Sequence, residues 1–336
     1  MHRIKIEHFY TVVFYIRCFT VFYFVFMKNL LYKGMLLLAF CGFVASCAQN
    51  EEIEEIEVAS KEFQKVTFTT HFVAASRAVS VQENMELFYT VYSSTGAVVE
   101  KNSTKLQSLS TDGDTSITLT LQLEQGLTYD IAFWAQPQGL DCYDISNLKS
   151  VKIDYAKCLA NNAYRKAYYG SITGLGTSLQ NDVTVSLKSP FGKIEVLTTE
   201  EDVEAASALG FDFNNLNSSM TVKGAATVFN ALYGTAEGEK TTISLIPNTI
   251  PGETKKSEGK SYRVLASEYI LCNDEQPVEV SVELSKVDSP QDKLNFDAGK
   301  AFLQSEYVFS LYGHYLTTSV DFNVTVDSSF DSSYAF

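Results

Sequence analysis

Residues 117–123 read Ile-Thr-Leu-Thr-Leu-Gln-Leu, and this strict alternation of apolar and polar side chains decides the fold class. Successive side chains of a β-strand point to opposite faces, so the run is typical of a strand with one face in a core. The alternation recurs at residues 66–69, 87–91, 183–187, 278–284 and 320–326. Turn-forming residues separate these runs. Many short strands joined by turns predict an all-β protein of antiparallel sandwiches.

Helix signals are sparse. Thr199-Glu-Glu-Asp202 resembles a capping box, and Gly210 stands where a helix starting there would end. A second short helix is predicted within residues 158–168. The three glycines of residues 170–176 are interpreted as turn residues, because no P-loop lysine follows them.

The strand pattern is interrupted near residues 189–190, which predicts two domains, an N-terminal sandwich at 65–188 and a C-terminal sandwich at 189–336. Each half is long enough for a core of its own. No sequence repeat at a fixed period is visible.

The first 46 residues are expected to be a signal region. A basic stretch with Lys28 and Lys33 precedes an apolar run, which ends in Val-Ala-Ser-Cys47. Small residues directly before a cysteine resemble a bacterial lipobox, in which Cys47 is lipidated and becomes the mature N-terminus. A membrane helix over residues 30–47 that stays attached is the alternative. Residues 1–26 are interpreted as an upstream mis-start if translation begins at Met27.

Residues 47–64 are predicted to form an acidic tether, with five glutamates between positions 51 and 57. The tether resembles the export signal behind the lipidated cysteine of surface lipoproteins in Bacteroidota. The chain has 26 Lys and Arg against 40 Asp and Glu, a net charge of −14. A nucleic-acid partner is excluded, because such a protein needs a basic face against phosphates.

Cysteine and histidine patterns predict neither a cofactor nor a metal site. Beyond Cys47 lie Cys142, Cys158 and Cys272, without zinc-ligand spacing, and they are interpreted as small buried residues. Cys142 and Cys158 could form a disulfide bridge in an oxidising compartment. Three cysteines, an odd number, cannot all pair and so give no disulfide framework.

No catalytic constellation stands out either. His71 and His314 are the histidines beyond Cys47, and no nucleophile-elbow or zinc-protease motif is present. A carboxylate pair for glycoside hydrolysis stays open, since sequence does not give its separation. We expect a protein that is not an enzyme.

The segment LTYDIAFWAQPQ at residues 127–138 holds the chain's one tryptophan, Trp134. A central buried strand is the favoured interpretation. The alternative is a platform on which aromatic faces stack against sugar rings.

Seven segments in order resemble the fimbrillin-like lipoproteins of Bacteroidales, the subunits of type V pili. They are VTFTTHFVAASRA (66–78), LFYTVYSSTGAVV (87–99), LTYDIAFWAQ (127–136), NNAYRKAYYG (161–170), VTVSLKSPFGKIEV (183–196), TVKGAATVFNALYG (221–234) and EYVFSLYGHYLTTSVDFNVTV (306–326). The resemblance covers nearly all of the chain after Cys47. It implies two transthyretin-like β-sandwich domains with one or two short helices.

The resemblance also implies a processing route. Such subunits are exported as lipoproteins to the outer membrane, and a trypsin-like protease cuts after an arginine that matches Arg77 here. The first strand is then replaced by a strand from an identical or related subunit. The matching donor residues are Val320, Phe322, Val324 and Val326.

The implied function is therefore that of a fimbrial subunit or adhesin, anchored by lipid at the cell surface and found in the fimbrium after processing. Host or bacterial surface ligands are further implied partners. The alternative function is a monomeric surface lipoprotein that binds glycans.

Overall fold

The computed structural model describes residues 61–72, 84–105, 116–176, 182–272, 276–317 and 323–327. All of them belong to one compact unit that begins at Lys61. Within these residues, no helix combines the length and the apolar character that a membrane span requires.

Strands account for most of the described chain, which confirms the all-β prediction. The first half contains β1 (Phe63–Phe72), β2 (Met85–Ser93), β3 (Val98–Lys105), β4 (Ser116–Glu124), β5 (Thr128–Pro137), β6 (Tyr143–Asp144), β7 (Val151–Ile153), β8 (Tyr168–Gly176) and β9 (Asp182–Leu187). The second half contains β10 (Phe191–Thr199), β11 (Leu216–Ala225), β12 (Val228–Asn230), β13 (Thr235–Glu237), β14 (Thr241–Ser244), β15 (Asn248–Thr249), β16 (Thr254–Ser257), β17 (Lys260–Leu271), β18 (Gln276–Lys286), β19 (Lys293–Leu303), β20 (Val308–Gly313) and β21 (Asn323–Asp327).

One α-helix, α1 (Glu200–Ala208), follows β10 where the capping box predicts it. The Thr199 side chain accepts a hydrogen bond from the Asp202 backbone N–H, and Gly210 takes the left-handed conformation after the helix, with φ 84°. The second predicted helix is reduced to a 3-10 turn, Ala163–Arg165. Two more such turns occur at Tyr155–Lys157 and Phe213–Asn215.

The two halves repeat one topology. In the first half the sheets run β4-β1-β9 and β3-β2-β5-β8, and in the second half the strands β17-β10-β20 and β14-β11-β18-β19 are arranged in the same order. Each half contains one parallel pair, β1 with β9 and β10 with β20, among otherwise antiparallel neighbours. Strand β21 extends the second copy at the β20 edge, and it has no counterpart in the described part of the first half.

Two clusters of buried apolar side chains form the cores. The first core draws on residues between Val66 and Leu187, in β1, β2, β4, β5, β8 and β9. The second core combines strands of the second half with a segment of the first half that includes Trp134 and Tyr155. A four-stranded sheet, β13-β12-β7-β6, likewise draws on both halves. The predicted domain boundary falls between the end of β9 and the start of β10.

Candidate functional site

Strand β1 is the central strand of the first three-stranded sheet. It pairs antiparallel with β4 from Phe63 to His71 and parallel with β9 from Thr67 to Phe72. The backbone of β1 therefore forms hydrogen-bonded ladders on both sides. Its removal would leave β4 and β9 each with an unpaired edge.

Alternate side chains of β1 fill the first core. Val66, Phe68 and Thr70 are all fully buried. The Phe68 ring lies 5.9 Å from the Phe133 ring, and the Phe72 ring meets Tyr168 edge-on at 4.9 Å. Thr70 Oγ1 donates a 3.2 Å hydrogen bond to the Ile117 carbonyl, which satisfies its buried hydroxyl.

The predicted cleavage residue Arg77 lies outside the described residues, five positions after Phe72. The predicted lipidation residue Cys47 lies outside them as well. Both stay predictions. The structure describes β1, the strand that ends five residues before Arg77.

The C-terminal strand β21 lies at a sheet edge. Its backbone pairs antiparallel with β20, with Val324 opposite Leu311 and Val326 opposite Phe309. Within the described residues β20 is its one strand partner. The other two predicted donor residues, Val320 and Phe322, lie outside the described residues.

The chain leading to β21 is held by Asp202, a residue that the sequence analysis noted only as part of a capping box. Asp202 is 1% exposed. One carboxylate oxygen accepts hydrogen bonds from the Leu316 backbone N–H at 2.8 Å and from Thr198 Oγ1 at 2.5 Å. The other accepts from the Thr317 backbone N–H at 3.0 Å and from the Thr317 hydroxyl. We call the residues after Thr317 the C-terminal arm, and Leu316 and Thr317 its root.

The aromatic segment around Trp134 belongs to β5 and is buried, as the favoured interpretation predicted. Trp134 is fully buried, and its Nε1 donates a 2.8 Å hydrogen bond to Gln136 Oε1. Its ring contacts Tyr143 and Phe229. The idea of a sugar platform at this segment is therefore wrong.

The two histidines are not brought together. His71 lies in β1, and His314 lies after β20 with its Nδ1 3.4 Å from Thr199 Oγ1. Within the described ranges, no group of three or more His, Cys, Asp or Glu side chains is arranged to hold a metal ion.

The predicted burial of the three cysteines is confirmed. Cys142 and Cys158 are each 2% exposed and Cys272 is 3% exposed. The structure carries all three as thiols.

Three solved structures are similar to this chain over most of its length. A candidate adhesin from Bacteroides thetaiotaomicron is 14% identical with a TM-score of 0.48, over 81% of this chain and 98% of that one. The fimbrial anchor protein Mfa2 from Porphyromonas gingivalis is 12% identical with a TM-score of 0.45, over 79% and 98%. A fimbrial assembly protein from Parabacteroides distasonis is 15% identical with a TM-score of 0.43, over 80% and 100%.

The search of curated proteins found no match. A model of one protein family, DUF6562, matches residues 57–335 and so spans every described strand. The chain therefore belongs to DUF6562, a family of unknown function.

Proposed function

We propose that this protein is a fimbrial subunit at the bacterial surface, whose first strand is cut away and replaced by the C-terminal arm of another copy. The observation that carries the proposal is the position of β1. It is a fully paired strand with buried side chains, and it ends just before Arg77. The role is structural and needs neither a catalytic group nor a cofactor.

Loss of β1 would leave a groove that favours a replacement strand. Burial of side chains such as Val66 and Phe68 contributes roughly 1.5–3 kcal/mol each. The vacated groove would expose their apolar neighbours together with the free edges of β4 and β9. An extended segment from another chain regains both contributions by strand addition.

The C-terminal arm has a side-chain spacing that fits this groove. β1 places Val66, Phe68, Thr70 and Phe72 at every second position. The arm carries Val320, Phe322, Val324 and Val326 at the same spacing, so the first two residues are identical in type. A donor aligned in this way would place a valine where Thr70 now donates to the Ile117 carbonyl. The filled groove would then be more apolar than the present one.

The arm is better suited to leave its sheet than β1 is. In the part of the chain that the structure describes, strand β21 has five residues and a single neighbour, whereas β1 has ten residues and two neighbours. The Asp202 carboxylate holds the root, so the arm can be exchanged from residue 318 onward while the body keeps its fold.

Cleavage after Arg77 would also detach the subunit from the membrane. The predicted lipid on Cys47 and the acidic tether both precede Arg77 in the chain. A lipid-anchored precursor at the outer membrane would thus become a fimbrial subunit in the same step that opens the groove. The proposed partners are other copies of the subunit and a protease that cuts after arginine.

The experiment compares Arg77→Ala with Arg77→Lys after treatment with trypsin, which cuts after either basic residue. Wild type and Arg77→Lys are expected to form ladders that resist SDS, and Arg77→Ala should retain β1 and stay monomeric. Ladders from Arg77→Ala would contradict the proposal. A cleaved wild-type protein that stays monomeric and is retained on a polysaccharide gel would favour the glycan-binding alternative.

A further inference from the structure

Two buried cysteines lie side by side where the two halves of the chain meet in one sheet. The Asp154 backbone N–H donates a hydrogen bond to the Cys142 carbonyl at 2.9 Å. The Cys158 thiol donates to the Asp154 carbonyl, with Sγ 3.6 Å from the oxygen. Both contacts involve Asp154, so the two cysteines lie beside the same residue. The β6–β7 hairpin and the 3-10 turn at Tyr155–Lys157 bring them together, because Tyr143 pairs with Ile153.

A buried arginine faces this pair. Arg165 is 1% exposed and binds Glu268 through Nη2 at 2.5 Å. Its Nε and Nη1 have no hydrogen-bond partner among the residues that the structure describes. The positive charge of this buried guanidinium favours the thiolate form of Cys142 over the thiol.

The two thiols differ in acidity. A hydrogen bond from Cys158 lowers the pKa of the Cys142 thiol, burial opposes this change, and the charge of Arg165 lowers the pKa further. The hydrogen bond to Cys142 and burial both raise the pKa of Cys158. The thiolate is the form that attacks a disulfide, so Cys142 is the first nucleophile.

We propose that Cys142 and Cys158 form a disulfide by exchange with a small disulfide such as oxidised glutathione while the chain folds. The Cys142 thiolate attacks one sulfur of the donor, and the other sulfur leaves as a thiolate that takes up a proton. Cys158 then loses its proton and attacks Cys142 Sγ, which expels the second donor thiolate. The two protein thiols are oxidised, and one donor disulfide is reduced to two thiols.

Burial limits when this exchange can occur. Both cysteines are 2% exposed in the folded chain, so the donor reaches them late in folding, when the β6–β7 hairpin and Arg165 are in place but the core has not closed over the two thiols. The bond would tie the β6–β7 hairpin to the turn before Arg165 and so brace the β13-β12-β7-β6 sheet. This inference does not rest on the proposed fimbrial function.

The test maps linked peptides by mass spectrometry. The full chain is reduced, unfolded in urea with detergent, and refolded with oxidised and reduced glutathione, while a matched sample stays in urea. Remaining thiols are alkylated before digestion with trypsin. Lys149 and Lys157 are cleavage sites between the two cysteines, so the bond joins peptide 106–149 to peptide 158–165.

We expect the linked peptide in most of the refolded molecules and in few of those kept in urea. Cys272→Ser should retain the linkage, and Cys158→Ser should lose it. Equal yields in refolded and urea samples would overturn the proposal, because chain proximity alone would then explain the bond. Linkage of Cys142 to Cys272 in wild type at a comparable yield would overturn it as well.

Discussion

Asp202 lies in the first turn of α1, yet three of the four hydrogen bonds described for its carboxylate go to the root of the C-terminal arm. In a capping box the third helical residue returns to the N-cap backbone, which is what the sequence pattern predicts. The buried site instead offers the backbone N–H groups of Leu316 and Thr317. Sequence could not reveal this use of the carboxylate, because those groups are more than a hundred residues away.

The residue-scale prediction is that Asp202→Asn loosens the root of the arm. The amide retains one acceptor but turns an N–H₂ group toward backbone donors, so at least one hydrogen bond is lost. The expected cost is about 1–3 kcal/mol of unfolding free energy. Hydrogen exchange read by mass spectrometry should show faster exchange in a peptide that contains Leu316 and Thr317.

Glu204→Gln serves as the matched control for that variant, since Glu204 is an exposed carboxylate on the same helix. It should leave both stability and exchange at the root unchanged. Unchanged exchange at Leu316 and Thr317 in Asp202→Asn would show that the carboxylate does not hold the arm.

At the scale of elements, alternation predicts strands well but says little about their partners. Residues 117–123 and 278–284 lie in β4 and β18, where the pattern predicts strands. The parallel pairing of β1 with β9 could not be predicted, because alternation looks the same in parallel and antiparallel neighbours. Strands of two to four residues, such as β6 and β13, are too short to show a recognisable alternation of apolar and polar residues.

The glycines of residues 170–176 were interpreted as a turn, which is wrong, because they lie in β8. A Cβ on Gly170 would come within 2.9 Å of Val185 and Leu187, so glycine permits close approach to β9. Gly174 has φ 68° where the register between β5 and β8 shifts, a conformation suited to a bulge. Glycine thus marks close contact and a bulge here, and sequence does not separate these uses from a turn.

The element-scale prediction concerns the arm as an isolated strand. A peptide of residues 318–327 should bind and stabilise a trypsin-cleaved subunit that ends at Thr317. Val324→Asp in this peptide should weaken binding by about 100-fold or more, because the aligned position of β1, Thr70, is fully buried and a lone buried charge is costly. Fluorescence anisotropy with a labelled peptide would measure the difference.

Thr325→Asp is the matched control, because its aligned position in β1, His71, is partly exposed. This peptide should bind within a few-fold of the wild-type peptide. Equal loss of binding for both peptides would show that a negative charge weakens binding at any position, and that the alternation of buried and exposed side chains does not determine binding.

At the scale of the whole molecule, the chain builds one topology twice without a visible sequence repeat. A sandwich requires apolar side chains at alternate positions rather than particular residues, so the two copies can differ in nearly every residue. The second core also takes Trp134 and Tyr155 from the first half. No alternation pattern signals such sharing, since Trp134 belongs to β5, whose other face fills the first core, and Tyr155 lies in a 3-10 turn.

Strand β21 extends the second copy at its β20 edge, and it is the strand that the proposed function uses as the donor. If β1 is removed and β21 is exchanged as proposed, the subunit presents an acceptor groove and a donor strand. Such heterologous contacts do not close on themselves when the geometry repeats along a line, and they therefore give filaments.

The most direct test of strand replacement is the mass, by light scattering, of trypsin-cleaved protein with and without its C-terminal arm. Cleaved full-length protein should grow into polymers whose masses are multiples of the cleaved subunit. A chain that stops after Thr317 should be cut at the same site and remain a single subunit. Polymers of equal size from the shortened chain, or a cleaved full-length protein that stays monomeric, would contradict the account.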